Sequence, residues 1–369
     1  MKESIVCSVC GASLQDEPVH DVGGRILCDD CFCEHTVVCD NCGDRIMCNE
    51  AEGDNMVTLC RYCYEYNYTR CEECGCLVNN DDARYDDDSD YAYCEDCYRR
   101  MNAKSIKPYS YKPEPIFYGS GNLFMGVELE VDDGGEFDEN AEEIEALANR
   151  FGVRIYCKHD GSLNDGFEVV SHPMTLDYHK NEMNWQEIFE KAVRMGYLSH
   201  NTSTCGLHVH VNRSALGKDH IEQEASIGRI VFFVEKHWNE LVKFSRRKQE
   251  NLDRWAARYE TISSTTKETY KKAKDKHLGR YVAVNLNNYA TIEFRLFRGT
   301  LRYKTFIASL ELVERICTLA TRLTDKELEE MTWGEFVAGI DENKCPELVE
   351  YLKAKRLYVN EIMEESMEV

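Results

Sequence analysis

Cysteine spacing constrains this chain more than any other feature. Cys7-x-x-Cys10 is separated by 17 residues from Cys28-x-x-Cys31. Cys39-x-x-Cys42 and Cys60-x-x-Cys63 repeat that spacing, and Cys71-x-x-Cys74 precedes Cys94-x-x-Cys97 by 19. The first cysteines step by 32 residues, which marks a tandem repeat. Fifteen of the 19 cysteines fall in residues 1–100. The opening MKESIVCSVC has no apolar core of a signal peptide, so a cytoplasmic location is expected, and there such clusters read as metal ligands rather than disulfides. Four thiolates at this spacing suit a closed tetrahedral Zn²⁺ site, so three structural zincs are expected, one per unit. Cys33, Cys48 and Cys76 are left over.

Residues 1–100 hold too few large apolar side chains for three separate cores. Metal must therefore supply folding energy, on the order of 10–16 kcal/mol per structural zinc. The units resemble the zinc-binding halves of LIM-type and treble-clef fingers. Their charge argues against a nucleic-acid reader: 23 Asp/Glu against 8 Lys/Arg give −15, and a DNA-reading finger is basic. The arm reads as a surface that recruits a protein or peptide, with a purely structural cap as the alternative.

The whole chain, 369 residues at −23, is equally ill-suited to general nucleic-acid binding. No apolar run is long enough to span a membrane, so no membrane association is expected. Residues 101–118 carry three of the six prolines and no helical period, which reads as a linker. Residues 119–369 then form one α+β domain with an antiparallel or mixed sheet. Strands are expected at 123–131, 153–157, 166–171 and in LHVHVN, with a hairpin at 281–287 and 290–297. Helices are expected at 140–152, 184–195, 219–245, 303–323 and 325–338.

The strands carry their polar groups in register. In GVELEV, Glu128 and Glu130 share one face, and Val127, Leu129 and Val131 the other. Glu168 lies in GFEVVSHP, and His208 and His210 share a face of GLHVHVN. In TIEFRLFRGT, Glu293 and Arg295 share a face, whereas strict alternation turns Arg298 away unless the strand bends near Gly299. Any one of these could be a solvated strand face. Several carboxylates on one face repel unless cations lie between them. Oxygen ligands with an imidazole suit Mg²⁺ or Mn²⁺, and a neighbouring arginine suits a transferring phosphoryl group.

The ordered set GVELEV, KHDGSL with GFEVVSHP, CGLHVHVN, and RYVAVNL with TIEFRLFRGT resembles the amidoligase family over about residues 119–325. That family is similar to the carboxylate–amine ligases, glutamine synthetase among them. The resemblance implies a glutamine synthetase-like sheet whose polar face holds ATP and divalent metal. Glu128, Glu130, Glu168, Glu293 and one of His208 and His210 would then be metal ligands, and Arg295 would steady the γ-phosphate. Arg298, Lys158 and Asp160 would contact substrate or phosphate, with Arg280 and Asn285 as weaker candidates. The implied reaction joins a carboxylate substrate to an amine through an acyl phosphate. No P-loop or G-x-G-x-x-G fingerprint competes as a nucleotide site.

Two other classes stay open on sequence: a two-metal hydrolase, and a zinc-finger scaffold with an inactive ligase domain. Residues 243–280, with 12 Lys/Arg against 5 Asp/Glu, read either as a solvated helical face or as a basic flap over ATP or an acidic substrate. Cys205 beside the histidines lacks any orienting motif for a nucleophilic thiol.

Overall fold

The computed structural model describes residues 5–15, 18–85, 90–103, 105–263, 265–276 and 279–359. The chain divides into two compact units, Met1–Lys104 and Ser105–Val369.

In the first unit each repeat is built the same way. Gly11, Gly43 and Gly75 follow the second cysteine of each leading pair, with φ of +76°, +77° and +72°. Their amides donate to the carbonyls of Cys7, Cys39 and Cys71 at 2.9, 2.9 and 2.8 Å. A side chain would strain this left-handed turn, so glycine is required where the chain folds back on itself. A short hairpin follows, such as His20–Val22 with Arg25–Leu27 or Glu52–Gly53 with Thr58–Leu59. The third cysteine then sits at the start of a helix: Cys28 and Cys60 are the N-caps of Asp29–His35 and Arg61–Tyr66. Their sulfurs accept from the amides of Cys31 and Cys63, so capping and ligand placement are one event.

The second unit is built on a seven-stranded sheet. Its strands are β1 (Ile106–Lys107), β2 (Met125–Val131), β3 (Ile155–Lys158), β4 (Phe167–Ser171), β5 (Gly206–Asn212), β6 (Val284–Asn285) and β7 (Thr291–Arg298). The order is β1-β3-β4-β2-β5-β7-β6. β1 runs parallel to β3, and every other pairing is antiparallel. One face is apolar: Val127, Leu129, Val169, Leu207, Val209 and Phe294 join a single core. Helices α1 (His220–Lys236), α2 (Trp238–Ser245), α3 (Tyr303–Arg322) and α4 (Pro346–Ala354) contribute to that core. Burial of these side chains against the sheet fixes the register, because a one-residue slip would exchange the two faces.

The α+β class and mixed sheet agree with the sequence reading, and the differences lie at breaks. The helix expected over 219–245 ends at Lys236 and restarts at Trp238. His237, packed on Phe233 and Trp333, leaves helical geometry there with ψ of 29°. The helix expected over 325–338 is two, Asp325–Glu330 and Trp333–Ala338. Thr324 with Glu327 and Thr332 with Glu335 each form a capping box, and the second restarts the chain. Only Val284–Asn285 of the stretch 281–287 is strand. Within the expected linker, Ile106–Lys107 pairs with β3 as part of the sheet.

The second capping box is testable. Thr332→Ala should lower the stability of this unit by about 1 kcal/mol, read by urea denaturation. An unchanged midpoint would show that the break at Met331 is held by packing instead.

Candidate active site

Strand pairing assembles the polar face. Glu128 lies opposite His208, and Gly126 opposite His210. Glu168 lies opposite both Glu130 and Lys158. Glu293 lies opposite His210 on one side and Asn285 on the other. Glu130, Glu168, His208 and Glu293 are nearly fully buried.

Glu128 is the centre. Its two oxygens each lie 3.2 Å from an imidazole, Oε1 from His210 Nε2 and Oε2 from His208 Nδ1. Burial pushes its pKa up, but His210 and then His208 outweigh this and hold it well below the usual carboxylate range. His210 moves the other way, raised by Glu128 against its own burial. Glu293 Oε1 stands 3.7 Å from His208 Nδ1 and 3.9 Å from His210 Nε2. Asn285 donates to Glu293 Oε2 at 2.8 Å, and Arg295 contacts Oε1 at 2.5 Å.

At the other end, burial and repulsion from Glu128 push Glu168 well above the carboxylate range. Lys158, 3.6 Å away, opposes this, and Glu130 and Asp160 add to it. Glu130 is also raised by burial; its Oε2 accepts the amide of Gly206. So Lys158 and Asp160, weaker candidates on sequence, do join the carboxylates.

Two sets of these donors gather closely, Glu128 with His210 and Glu293, and Glu128 with Glu168 and His208. Within each set the ligand atoms lie within 4.8 Å of one another. The sets fit hard divalent cations such as Mg²⁺ or Mn²⁺. One further observation supports the fit. His210 Nε2 is buried without a hydrogen bond, its approach to Glu128 being close but poorly angled. Its other nitrogen, Nδ1, is held by Thr291 Oγ1 at 3.2 Å, the usual way a ligating imidazole is oriented.

Two expectations change. β7 does bend, through a bulge where β5 steps from Leu207 to Val209 while β7 steps from Phe297 to Phe294. The extra residue resets the alternation, so Arg298 pairs with Gly206, one turn of the pleat earlier than a bend at Gly299. Arg298 nevertheless lies beside Arg246, outside the carboxylate cluster. Arg280 stacks on Tyr109 and Tyr281, and Tyr281 in turn lies against Arg295. Burial pushes the Cys205 thiol up to about 12, away from the thiolate a nucleophile needs.

Arg247 is a site residue that sequence reasoning missed. It is 6% exposed, donates to the Arg295 carbonyl at 2.6 Å, and its charge acts on Glu130. Its Nε has no hydrogen-bond partner among the described residues. Gly206 makes room for it: a β-carbon there would meet His208 Nε2 at 2.9 Å and Arg247 Nη2 at 3.2 Å. The basic run around Arg247 was visible, but nothing in it said which arginine turns inward. Thr291 was legible, two residues before Glu293 in the same alternation.

Residues 105–118 cross this face. Tyr109 lies over Lys158 at 5.1 Å and is hydrogen-bonded by Arg280. Further on, Pro113, Phe117, Phe124, Tyr156, His172 and His210 wall a cavity of about 330 Å³ that reaches Glu128.

Residues 152–317 match the family described as "Putative amidoligase enzyme". No curated protein matches the chain. The amidoligase match contains Lys158, Glu168, both histidines, Arg247, Glu293 and Arg295. Glu128 and Glu130 precede it in the chain, and strand β2 carries them into the same cluster.

The cysteine arm offers separate metal sites. Cys7, Cys10, Cys28 and Cys31 converge, as do Cys39, Cys42, Cys60 and Cys63. In the third unit Cys71, Cys74 and Cys94 converge with Cys76, while Cys97, expected as the fourth ligand, bonds through its thiol to Cys74. Five thiols thus surround one site, and one left-over cysteine is accounted for. Amides of Cys10 and Cys28 draw the Cys7 thiol down to about 6. Cys39 and Cys71 also reach about 6, burial being outweighed by amide donors. Each unit therefore begins with a thiol poised as thiolate, the form that binds zinc.

Elemental analysis of purified protein should give three zincs per chain. Cys71→Ser should reduce this to two, whereas Cys76→Ser should leave three because Cys97 remains to complete the tetrad. A loss of zinc in Cys76→Ser equal to that in Cys71→Ser would assign Cys76 as an obligate ligand.

Proposed function

We propose that this protein is an ATP-dependent carboxylate–amine ligase that forms an amide or isopeptide bond, working in the cytoplasm. One observation carries the reading: Glu128 is shared by two carboxylate–imidazole donor sets on a face that also presents Arg295. The amidoligase match over residues 152–317 supports the ligase class.

In the reaction a substrate carboxylate oxygen attacks the γ-phosphorus of ATP, and ADP leaves. The amine nitrogen then attacks the carbonyl carbon of the acyl phosphate. Inorganic phosphate departs with the bond electrons, and the nitrogen's proton passes to solvent. Divalent metal held by the two donor sets would neutralise phosphate oxygens during transfer. The chain's own residues position and screen. Glu293 and the Trp255 carbonyl fix the Arg295 guanidinium, which then needs no reorganisation to meet developing phosphate charge. Arg247 offers a second buried guanidinium with an unpartnered Nε. Lys158 supplies a cation beside Glu168. The cavity rimmed by Phe117, Phe124 and Tyr156 suits a nucleoside base, being apolar with a few polar groups at its edge. The zinc arm, acidic and folded around its metals, would recruit the protein or peptide substrate.

The test is incubation with ATP, Mg²⁺ and pools of acids, amines and peptides, with ADP and phosphate measured. ADP release should require both an acid and an amine. Glu128→Gln and Arg295→Ala should each lower turnover by about 100-fold or more while circular dichroism stays native. Cleavage of peptides without ATP would establish the metal hydrolase instead.

A further inference from the structure

A second concentration of charge lies beside this site. Phe244 of α2 packs edge-on against Tyr351 of α4 at 4.7 Å and against Phe297 of β7 at 6.0 Å. That aromatic junction brings together the cations that follow each ring: Arg246, Arg298 and, one helical turn past Tyr351, Lys355. Arg302 joins them at the N-cap of the 20-residue helix α3. None of the four forms an ion pair with a carboxylate among the described residues, in a chain with 67 acidic residues.

Their proximity is felt electrostatically. Burial and Arg246 lower the Arg298 pKa. Burial, Arg246 and Arg302 lower that of Lys355. Burial first, then Arg298, Arg246 and Arg302, lower the His200 pKa. Two backbone features reinforce the arrangement. Arg246 caps α2 in the left-handed region at φ +58°, a conformation that glycine would take more easily. The turn sends Arg246 to the cluster and Arg247 into the carboxylate site. The first turn of α3 has no acidic residue and no side-chain cap, so its positive end is left uncompensated.

We propose that Arg246, Arg298, Arg302 and Lys355 form a subsite for the carboxylates of an acidic peptide, the acid substrate of the ligase. The subsite is joined to the reaction centre: Arg298 pairs with Gly206, whose amide is bound by Glu130. A ligand touching both must be extended, because β5 lies between the strand of Glu130 and that of Arg298. Four cations call for more than one carboxylate, and Arg246 and Arg302 are exposed enough to receive a chain rather than a small enclosed acid. This substrate class rests on the ligase reading, but peptide binding is measurable without turnover.

The probe is an end-capped tetraglutamate peptide, titrated calorimetrically at low salt without ATP, with Mg²⁺–ATP titrated separately. Arg302→Gln with Lys355→Gln should raise the peptide Kd by roughly tenfold or more and leave the ATP Kd unchanged. Arg302 makes no side-chain cap, and Lys355 lies over the Tyr351 ring at 5.2 Å, so the variant's circular dichroism must stay native; Arg302→Lys with Lys355→Arg should restore binding. Weakened ATP binding with unchanged peptide binding would assign the cluster to nucleotide phosphate and overturn the proposal. So would a peptide that fails to bind the wild type, or equal affinity for both proteins. Loss of turnover in Glu128→Gln tests the ligase reading alone, since that variant keeps the subsite intact.

Discussion

Glu128 held between two imidazoles is the interaction on which the rest of this structure depends. Four glutamates, two histidines, Lys158 and Arg295 share a largely buried sheet face, where each isolated charge would cost several kcal/mol to desolvate. The face tolerates them because attraction and repulsion are distributed unevenly. His208 and His210 draw Glu128 and Glu293 toward the ionised form. Glu168, short of such partners, is pushed toward the protonated form by burial and by its carboxylate neighbours. A cation between them would relieve that repulsion, so the stress at Glu168 and the unbonded nitrogen of His210 point the same way. The face is a poor structural element on its own, and its donor sets could hold a metal ion.

The arrangement around this centre follows from packing more than from charge. The apolar face of the sheet, sealed by α1, α3 and α4, sets the register that puts the polar residues in line. Gly206 then allows Arg247 and His208 to approach more closely than any side chain would permit. The bulge in β7 rotates Arg298 back toward the site face without moving Glu293 or Arg295. One bulge thereby separates two arginines on a single strand: Arg295 before it, against Glu293, and Arg298 after it, beside Arg246. The aromatic contacts of Phe244 with Phe297 and Tyr351 join three elements far apart in sequence.

The cysteine arm obeys a different logic. Its hydrophobic clusters are small, built around residues such as Leu27 and Leu59. Each helix begins at a ligand cysteine that is also its N-cap or occupies the equivalent place, so metal binding and helix initiation are coupled. The glycine after each leading pair permits the turn that aims two thiols at one point.

Much of this was legible in the linear sequence. The 32-residue cysteine step marked out the three thiol clusters that the structure gathers, because thiols must recur at distances that a short turn and hairpin can span. Alternation in GVELEV, LHVHVN and TIEFRLF placed Glu128, Glu130, His208, His210, Glu293 and Arg295 on their faces, since side chains on a strand alternate with period two. Periodicity cannot see contacts between distant segments. Tertiary structure alone decided that Arg247 turns inward while Arg246 turns out, that Cys76 joins the third thiol cluster, and that residues 105–118 cross the active face. It also decided where long helices break, at His237 and Thr332, because burial and capping at single residues outweigh a helical pattern that continues through them. The sequence determined which chemistries were available; the packing of segments remote in the chain determined which side chains meet.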